Sequence, residues 1–402
     1  MKMKNINIIG LCIVVLICYG CKEAFELDTI DFESVLVVES TLSDELKNQE
    51  IRLSRTSTLE GNEILVENNA EVWVENSQNQ IYNFSQNDDG IYVSDTQFKV
   101  EQDVAYSLSV TTQDGREYVS SETYLAPKST ITDLYAEVIE QNNVNGIQVF
   151  VDGSDPSGEG EYFKYEYEET YKIVVPNHSQ FDAKVINQVQ TAGGQEYDIE
   201  ITPREQEERV CYTSQSSTGI RQTTTNDLGM NQVSRFPLRF IEADNIRIIQ
   251  RYSILVKQYT QSLEAYTFYK TIEDLSNVES ILSENQPGYV AGNIRSLQST
   301  DEKVLGYFEL SPVTTRRIYF NYLDFDLPQP SYFYDCDIQI YDYEDNTAQD
   351  GDLNERNMLA QLLNTADYKL ISQNGTEYRI VNPECGDCTS FSSNVKPEFW
   401  ED

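Results

Sequence analysis

Apolar and polar residues alternate along much of this chain. From Val35 to about Pro127 the segments VLVVES, QEIRLSR, AEVWVEN, QIYNFSQ, GIYVSD and AYSLSVTTQDGREYVSS follow one another, with Asp, Asn and Gly between them. In AEVWVEN, Val72 and Val74 point one way and Glu71, Trp73 and Glu75 the other, the two-residue period of a strand with one buried face. Gln113-Asp114-Gly115 supplies the Asp-Gly pair of a hairpin, since glycine tolerates the positive φ of a tight turn. About seven short strands with regular turns predict a β-sandwich of immunoglobulin-like or transthyretin-like type over residues 34–127.

Pro127-Lys128-Ser129 marks a boundary, and a larger β-rich domain is expected over residues 130–402. In GIQVFVDGSDPSGEGEYFKYEYEETYKIVV, two strands flank a Gly/Pro/Asp turn. Phe163, Tyr165 and Tyr167 share one strand face, with Lys164, Glu166 and Glu168 on the other. Those aromatics suit a sandwich core better than a ligand-stacking surface. The segment from Ala183 to Asn245 is polar and reads as long loops carrying Cys211. RIIQRYSILVKQYT reads as a long strand. After it, Ala265, Phe268, Tyr269, Ile272 and Leu275 recur at helical spacing, with Ser262 as N-cap and Glu264 in the first turn, so a helix is expected near 262–284. KVLGYFELS and RRIYFNYL read as late strands of one sandwich, which makes the helix an insertion. The predicted fold class is mainly β: an N-terminal sandwich followed by a second β-sandwich-like domain with a helical insertion.

The start, MKMKNINIIGLCIVVLICYGCKEAFELD, changes the picture by giving an address. Two lysines precede an apolar run too short for a comfortable membrane span, and Gly20 stands just before Cys21. The stretch resembles a bacterial lipobox, although Cys18 and Tyr19 stand where Leu and a small residue are preferred. Residues 1–20 are then a lipoprotein signal peptide, Cys21 the lipidated first residue, and 21–33 a tether. The segment KEAFELD is similar to the Lys-plus-acidic signals that direct Bacteroidota lipoproteins to the cell surface. The expected place is the outer membrane, lipid-anchored, facing either the surface or the periplasm.

Charge narrows the partners. The 402 residues hold 67 acidic and 29 basic side chains, a formal net charge of −38. Such an excess repels nucleic-acid phosphates and anionic membrane surfaces, so attachment falls to lipid on Cys21. Its plainest role is a well-hydrated surface.

Beyond the leader and Cys21, four cysteines remain: Cys211, Cys336, Cys385 and Cys388. An even number in an exported chain favours disulfides, with three possible connectivities. A four-thiolate zinc site is the rival, because Cys385 and Cys388 have CxxC spacing, but the other two stand alone. The pair therefore reads as a staple of the C-terminal tail.

No catalytic motif is present: there is no GxSxG, HExxH, P-loop or GxGxxG. His178 is the single histidine and sits in the polar stretch VPNHSQFD, where an exposed loop residue is expected. Acidic residues are so abundant that a carboxylate pair carries no signal. Asp342, Asp345, Asp350, Asp352 and Glu355 offer oxygen ligands for calcium, yet aligning Gly351 with the EF-hand glycine puts Ala348 and Asn357 at ligand positions, and a solvated loop is favoured. The sequence therefore indicates no enzyme, cofactor or metal.

Several features together, the lipobox at Cys21, VLVVES, the AEVWV run, GYVAGNI (288–294), VLGYF (304–308) and the closing CGDCTSFSSNVKPEFW, resemble a Bacteroidota lipoprotein family known only as a domain of unknown function, number 4249. The resemblance spans about residues 21–400. Its most specific part is carried by Cys385, Cys388, Thr389, Asn394, Lys396, Pro397, Phe399 and Trp400; Ser392-Ser393 stands where many relatives have a glycine. What the resemblance implies is an outer-membrane lipoprotein, often encoded beside TonB-dependent receptors, and so an accessory subunit of such a barrel. A surface lipoprotein that binds glycan or peptide is the alternative, with Trp73 and Trp400 as the available indole platforms.

Overall fold

The computed structural model describes residues 34–57, 64–155, 157–191, 194–276, 289–345 and 354–402. The signal segment, Cys21 and the tether lie outside the described residues.

The first unit is a ten-stranded sheet. Its strands run, in spatial order, Ile294–Ser296, Glu117–Ser120, Tyr106–Thr111, Glu71–Asn76, Ile81–Gln86, Tyr92–Ser94, Glu50–Arg55, Leu36–Ser43 and Val304–Ser311, with Leu65–Val66 added to Glu50–Arg55. Alternation holds as expected: Leu36, Val38 and Leu42, Val72 and Val74, and Tyr106, Leu108 and Val110 all point into one core. The Asp114-Gly115 hairpin forms, with Gly115 at φ +84.

The two end strands nearly meet, and Asn293 closes the gap. Its Oδ1 accepts the Phe308 N–H at 2.8 Å and its Nδ2 donates to the Phe308 carbonyl at 2.9 Å. One side-chain amide thus replaces a strand partner, giving a barrel-like unit. Gly292 and Gly306 allow this approach. A Cβ on Gly292 would stand 1.7 Å from the Gly306 carbonyl oxygen, and one on Gly306, at φ +121, would stand 2.0 Å from that of Val38.

This arrangement corrects the expected division at residue 127. Val304–Ser311 is not a neighbour of Val313–Phe320 in one sandwich; it pairs in parallel with Leu36–Ser43, and Val304, Phe308 and Leu310 fill the first core. Strand period shows that a segment extends, not which sheet receives it.

The second unit is a sandwich. A three-stranded sheet of Gln232–Glu242, Val144–Ser154 and Thr130–Gln141 shares a core with a five-stranded sheet of Val210–Ser216, Tyr162–Val174, Tyr252–Gln261 and Val313–Phe320, with Gln222–Thr224 also paired to Tyr162–Val174. Phe163, Tyr165 and Tyr167 are buried in that core, as packing predicts.

Helix α1 (Leu263–Ser276) begins where expected, with the Ser262 hydroxyl accepting the Ala265 N–H at 3.1 Å. The rest of the predicted helix, to 284, lies outside the described residues. α1 links the sandwich strand Tyr252–Gln261 to the first unit and packs Ala265 and Phe268 against Tyr307. It is a connection between units, not an insertion in one.

The polar stretch 183–245 is largely strand, contrary to the loop expectation. Phe181–Thr191 and Gly194–Pro203 form a hairpin, which packs with helix α2 (Glu355–Thr365) and a three-stranded sheet, Gln339–Asp342, Glu377–Val381 and Lys369–Asn374, around Leu359, Leu363, Leu370 and Ile380. A hairpin covered on one face needs few apolar residues, so its composition resembled a loop. Among the described residues no helix is long and apolar enough to cross a membrane.

Candidate functional site: the cleft between the barrel-like unit and the sandwich

The four cysteines among the described residues are all bonded, and the CxxC does not close on itself. Cys211 pairs with Cys388 and Cys336 with Cys385, with Cα separations of 5.8 and 5.6 Å. The sulfurs are spent in pairs, so they form no four-thiolate zinc set. The tail is then buttoned down without covalent help. The Tyr212 N–H donates to Ser393 O at 2.7 Å, the Tyr319 hydroxyl donates to Phe399 O at 2.6 Å, and Trp400 packs edge-on against both tyrosine rings. Trp400 is only 5% exposed. It caps the sandwich and offers no platform to a glycan.

The other sequence candidates stay apart. His178 is half-buried, not exposed as expected, and its Nδ1 has no hydrogen-bond partner. Asp342 and Glu355 accept backbone N–H groups, from Glu344 and Asp342 respectively; Asp350 and Asp352 lie outside the described residues. Among the described residues no three His, Cys, Asp or Glu side chains converge on a metal position.

What the fold does bring together is a cleft of about 770 Å³ between the two units, within the roughly 300–1,000 Å³ range of ligand pockets. Its walls are the outer faces of Leu36–Ser43 and Val304–Ser311, the strands Tyr162–Val174 and Tyr252–Gln261, the loop 216–221, and α1. Lys164 lines its floor and belongs to a buried ion pair. Lys164 Nζ donates to Glu309 Oε2 at 2.8 Å and to Thr41 Oγ1 at 3.2 Å. The other carboxylate oxygen accepts from Gln261 Nε2 at 3.0 Å and Ser311 Oγ at 2.9 Å. The rings of Tyr259 and Tyr269 flank the ammonium, 5.1 and 4.9 Å away.

Burial works against both charges, but each partner overcomes it. Desolvation lowers the Lys164 pKa and the Glu309 carboxylate more than restores it, for a net rise. Desolvation raises that of Glu309 and Lys164 outweighs it, for a net fall. Burial pushes the Tyr269 hydroxyl up to about 12. The pair is thus fully ionised and neutral in sum. Alternation puts Lys164 on the strand face opposite Phe163, Tyr165 and Tyr167; that assignment stands, and the barrel-like unit covers the face, leaving Lys164 7% exposed.

A second buried cluster lies within the sandwich. Glu169 accepts from Arg239 at 3.0 and 3.3 Å and from the Tyr252 hydroxyl at 2.7 Å, with Arg247 3.2 Å away. It binds the two sheets to each other and does not line the cleft. Sequence reasoning missed both clusters. Their visible traces are Lys164, on a strand face that a distant segment could cover, and Glu169, a charge in phase with Phe163, Tyr165 and Tyr167 on the core face.

The family described as Domain of unknown function (DUF4249) matches residues 22–317. The match takes in the whole barrel-like sheet and most of the sandwich, and ends before the CxxCT…KPxFW tail. Curated proteins return no match.

Proposed function

We propose, for a chain that belongs to the domain of unknown function 4249 family, a non-enzymatic outer-membrane lipoprotein that works by non-covalent binding as an accessory subunit of a TonB-dependent receptor. The supporting observation is the cleft. It is large, it lies between two units of the matched region, and its one buried ion pair is already satisfied, so its walls are suited to holding a partner and not to transferring protons. Lipid on Cys21 would hold the protein at the membrane where such a receptor sits.

The alternative, capture of glycan or peptide at the surface, places ligand in the same cleft. A mild-detergent pull-down of a tagged copy from outer membranes, read by mass spectrometry, tests the first reading. A stoichiometric receptor is expected. Recovery of the lipoprotein alone would reject the subunit role. Labelling with an alkyne fatty acid, lost in Cys21→Ala, checks the anchor.

A further inference from the structure

We infer that the cleft takes a segment of polypeptide carrying a carboxylate, which Arg221 seats; this rests on the cleft being the binding site. Two cross-strand pairs of opposite charge stand on its walls. Glu39 lies opposite Arg52, and Glu166 opposite Lys257. Neither closes into an ion pair, although opposite charges at directly facing positions are well placed to do so; Glu166 accepts instead from the Tyr259 hydroxyl at 3.2 Å. Among the described residues Arg221, Arg251 and Arg356 each have a buried Nε without a hydrogen-bond partner, and of these Arg221 lines the cleft. Its guanidinium lies 5.8 Å from the centre of the Tyr167 ring with no carboxylate in reach among the described residues.

The strand Tyr162–Val174 explains where Arg221 sits. That strand pairs with Gln222–Thr224 over residues 162–164 and with Val210–Ser216 over 168–174. Between them the chain leaves the sheet as a short loop, tied back by Ser217 N–H to Tyr167 O at 2.7 Å and Tyr165 N–H to Arg221 O at 2.8 Å. The loop end is fixed, so the guanidinium is positioned before a ligand arrives. A buried N–H without a partner costs free energy that a carboxylate would recover through a charge-assisted bond.

Rows of both signs point to polypeptide, whose side chains supply both. Glycan recognition relies on exposed aromatic faces; of the aromatics lining the cleft all are buried but Tyr269, which is half-buried with its ring against Lys164, and Trp73 and Trp400 lie outside the cleft.

The test begins with the whole protein and a displayed library of random 12-residue peptides. Enriched sequences should carry Asp, Glu or a free C-terminus. The best synthetic peptide is then compared by calorimetry with a version whose carboxylates are amides. Neutralising the peptide, or introducing Arg221→Gln, should each weaken binding at least about tenfold, with partial recovery in Arg221→Lys. Leu305→Trp, which narrows the cleft without touching its charges, should weaken it too. Absence of enriched peptides, equal binding by Arg221→Gln, or a glycan-array hit lost in Arg221→Gln would each overturn the assignment. If a receptor co-purifies equally with Arg221→Gln, the peptide assignment fails while the subunit reading stands.

Discussion

The sandwich meets its two neighbours through unlike seams. Toward the tail, two disulfides and the buried Trp400 hold residues far apart in sequence, the longer bridge spanning 177 positions. Toward the barrel-like unit, the seam is polar and non-covalent. Lys164 and Glu309 meet at its centre, and Asp44 fastens its edge, bonding the Val313 N–H at 2.9 Å and Lys128 at 2.5 Å. Gln261 completes it, its Nε2 donating across the seam to Glu309 at 3.0 Å. A covalent seam holds whatever its polarity. A seam of hydrogen bonds holds only while every partner is present, and its hydrophilic walls can stay open as a cleft.

Breaking the polar seam should have the largest effect. Glu309→Ala leaves Lys164 buried and unpaired, and should cost about 3–5 kcal/mol in chemical denaturation. Combining Lys164→Met with Glu309→Gln should recover part of this, because the amide oxygen still accepts from Gln261 and Ser311. Acid tests the same pair. The folded-state pKa of Glu309 is depressed, so its stabilisation is present above the ordinary carboxyl value near about 4.3 and is lost as pH falls below that through the folded value. The Lys164 contribution is present below about 10.4 and is lost only as pH rises through its raised folded value. Melting temperatures of wild type and the double variant should therefore converge on acidification below pH 4; a constant difference would contradict the pair's role.

The covalent seam comes next. Replacing Cys211 and Cys388 by serine should cost about 2–5 kcal/mol, with loosening, read by hydrogen exchange, concentrated at Tyr212 and Trp400. Equal protection in both proteins would show that packing alone holds the tail. The smallest effect is expected at the barrel closure. Asn293→Ala removes both side-chain bonds to Phe308 and should cost about 1–3 kcal/mol, with faster exchange at the Phe308 amide.

Local features were legible because local chemistry dictates them. The alternation of Val72 and Val74, the turn at Gly115 and the cap at Ser262 each follow from residues within a few positions. The disulfide partners were legible as a set, since an even count and the expected export bound the choice, but pairing Cys211 with Cys388 needed the fold. The partner of Val304–Ser311 was not legible, because a parallel strand 268 positions away leaves no mark on periodicity. Nor was the burial of Lys164, which depends on that same strand. The site failed to show in the sequence for this reason: its floor is made by residues that become neighbours only once the last barrel strand has docked.

Parallel pairing of Leu36–Ser43 with Val304–Ser311 has a mechanical consequence. Leu36–Ser43 is the first described strand, and eight residues of it are in register with its neighbour. A pull through the N-terminus would load these bonds in shear, all at once, and would not unzip them singly. Ser311 leads through Pro312 straight into Val313–Phe320, so the load would pass directly into the sandwich. Tension applied where the chain begins would be borne by both units as one rod.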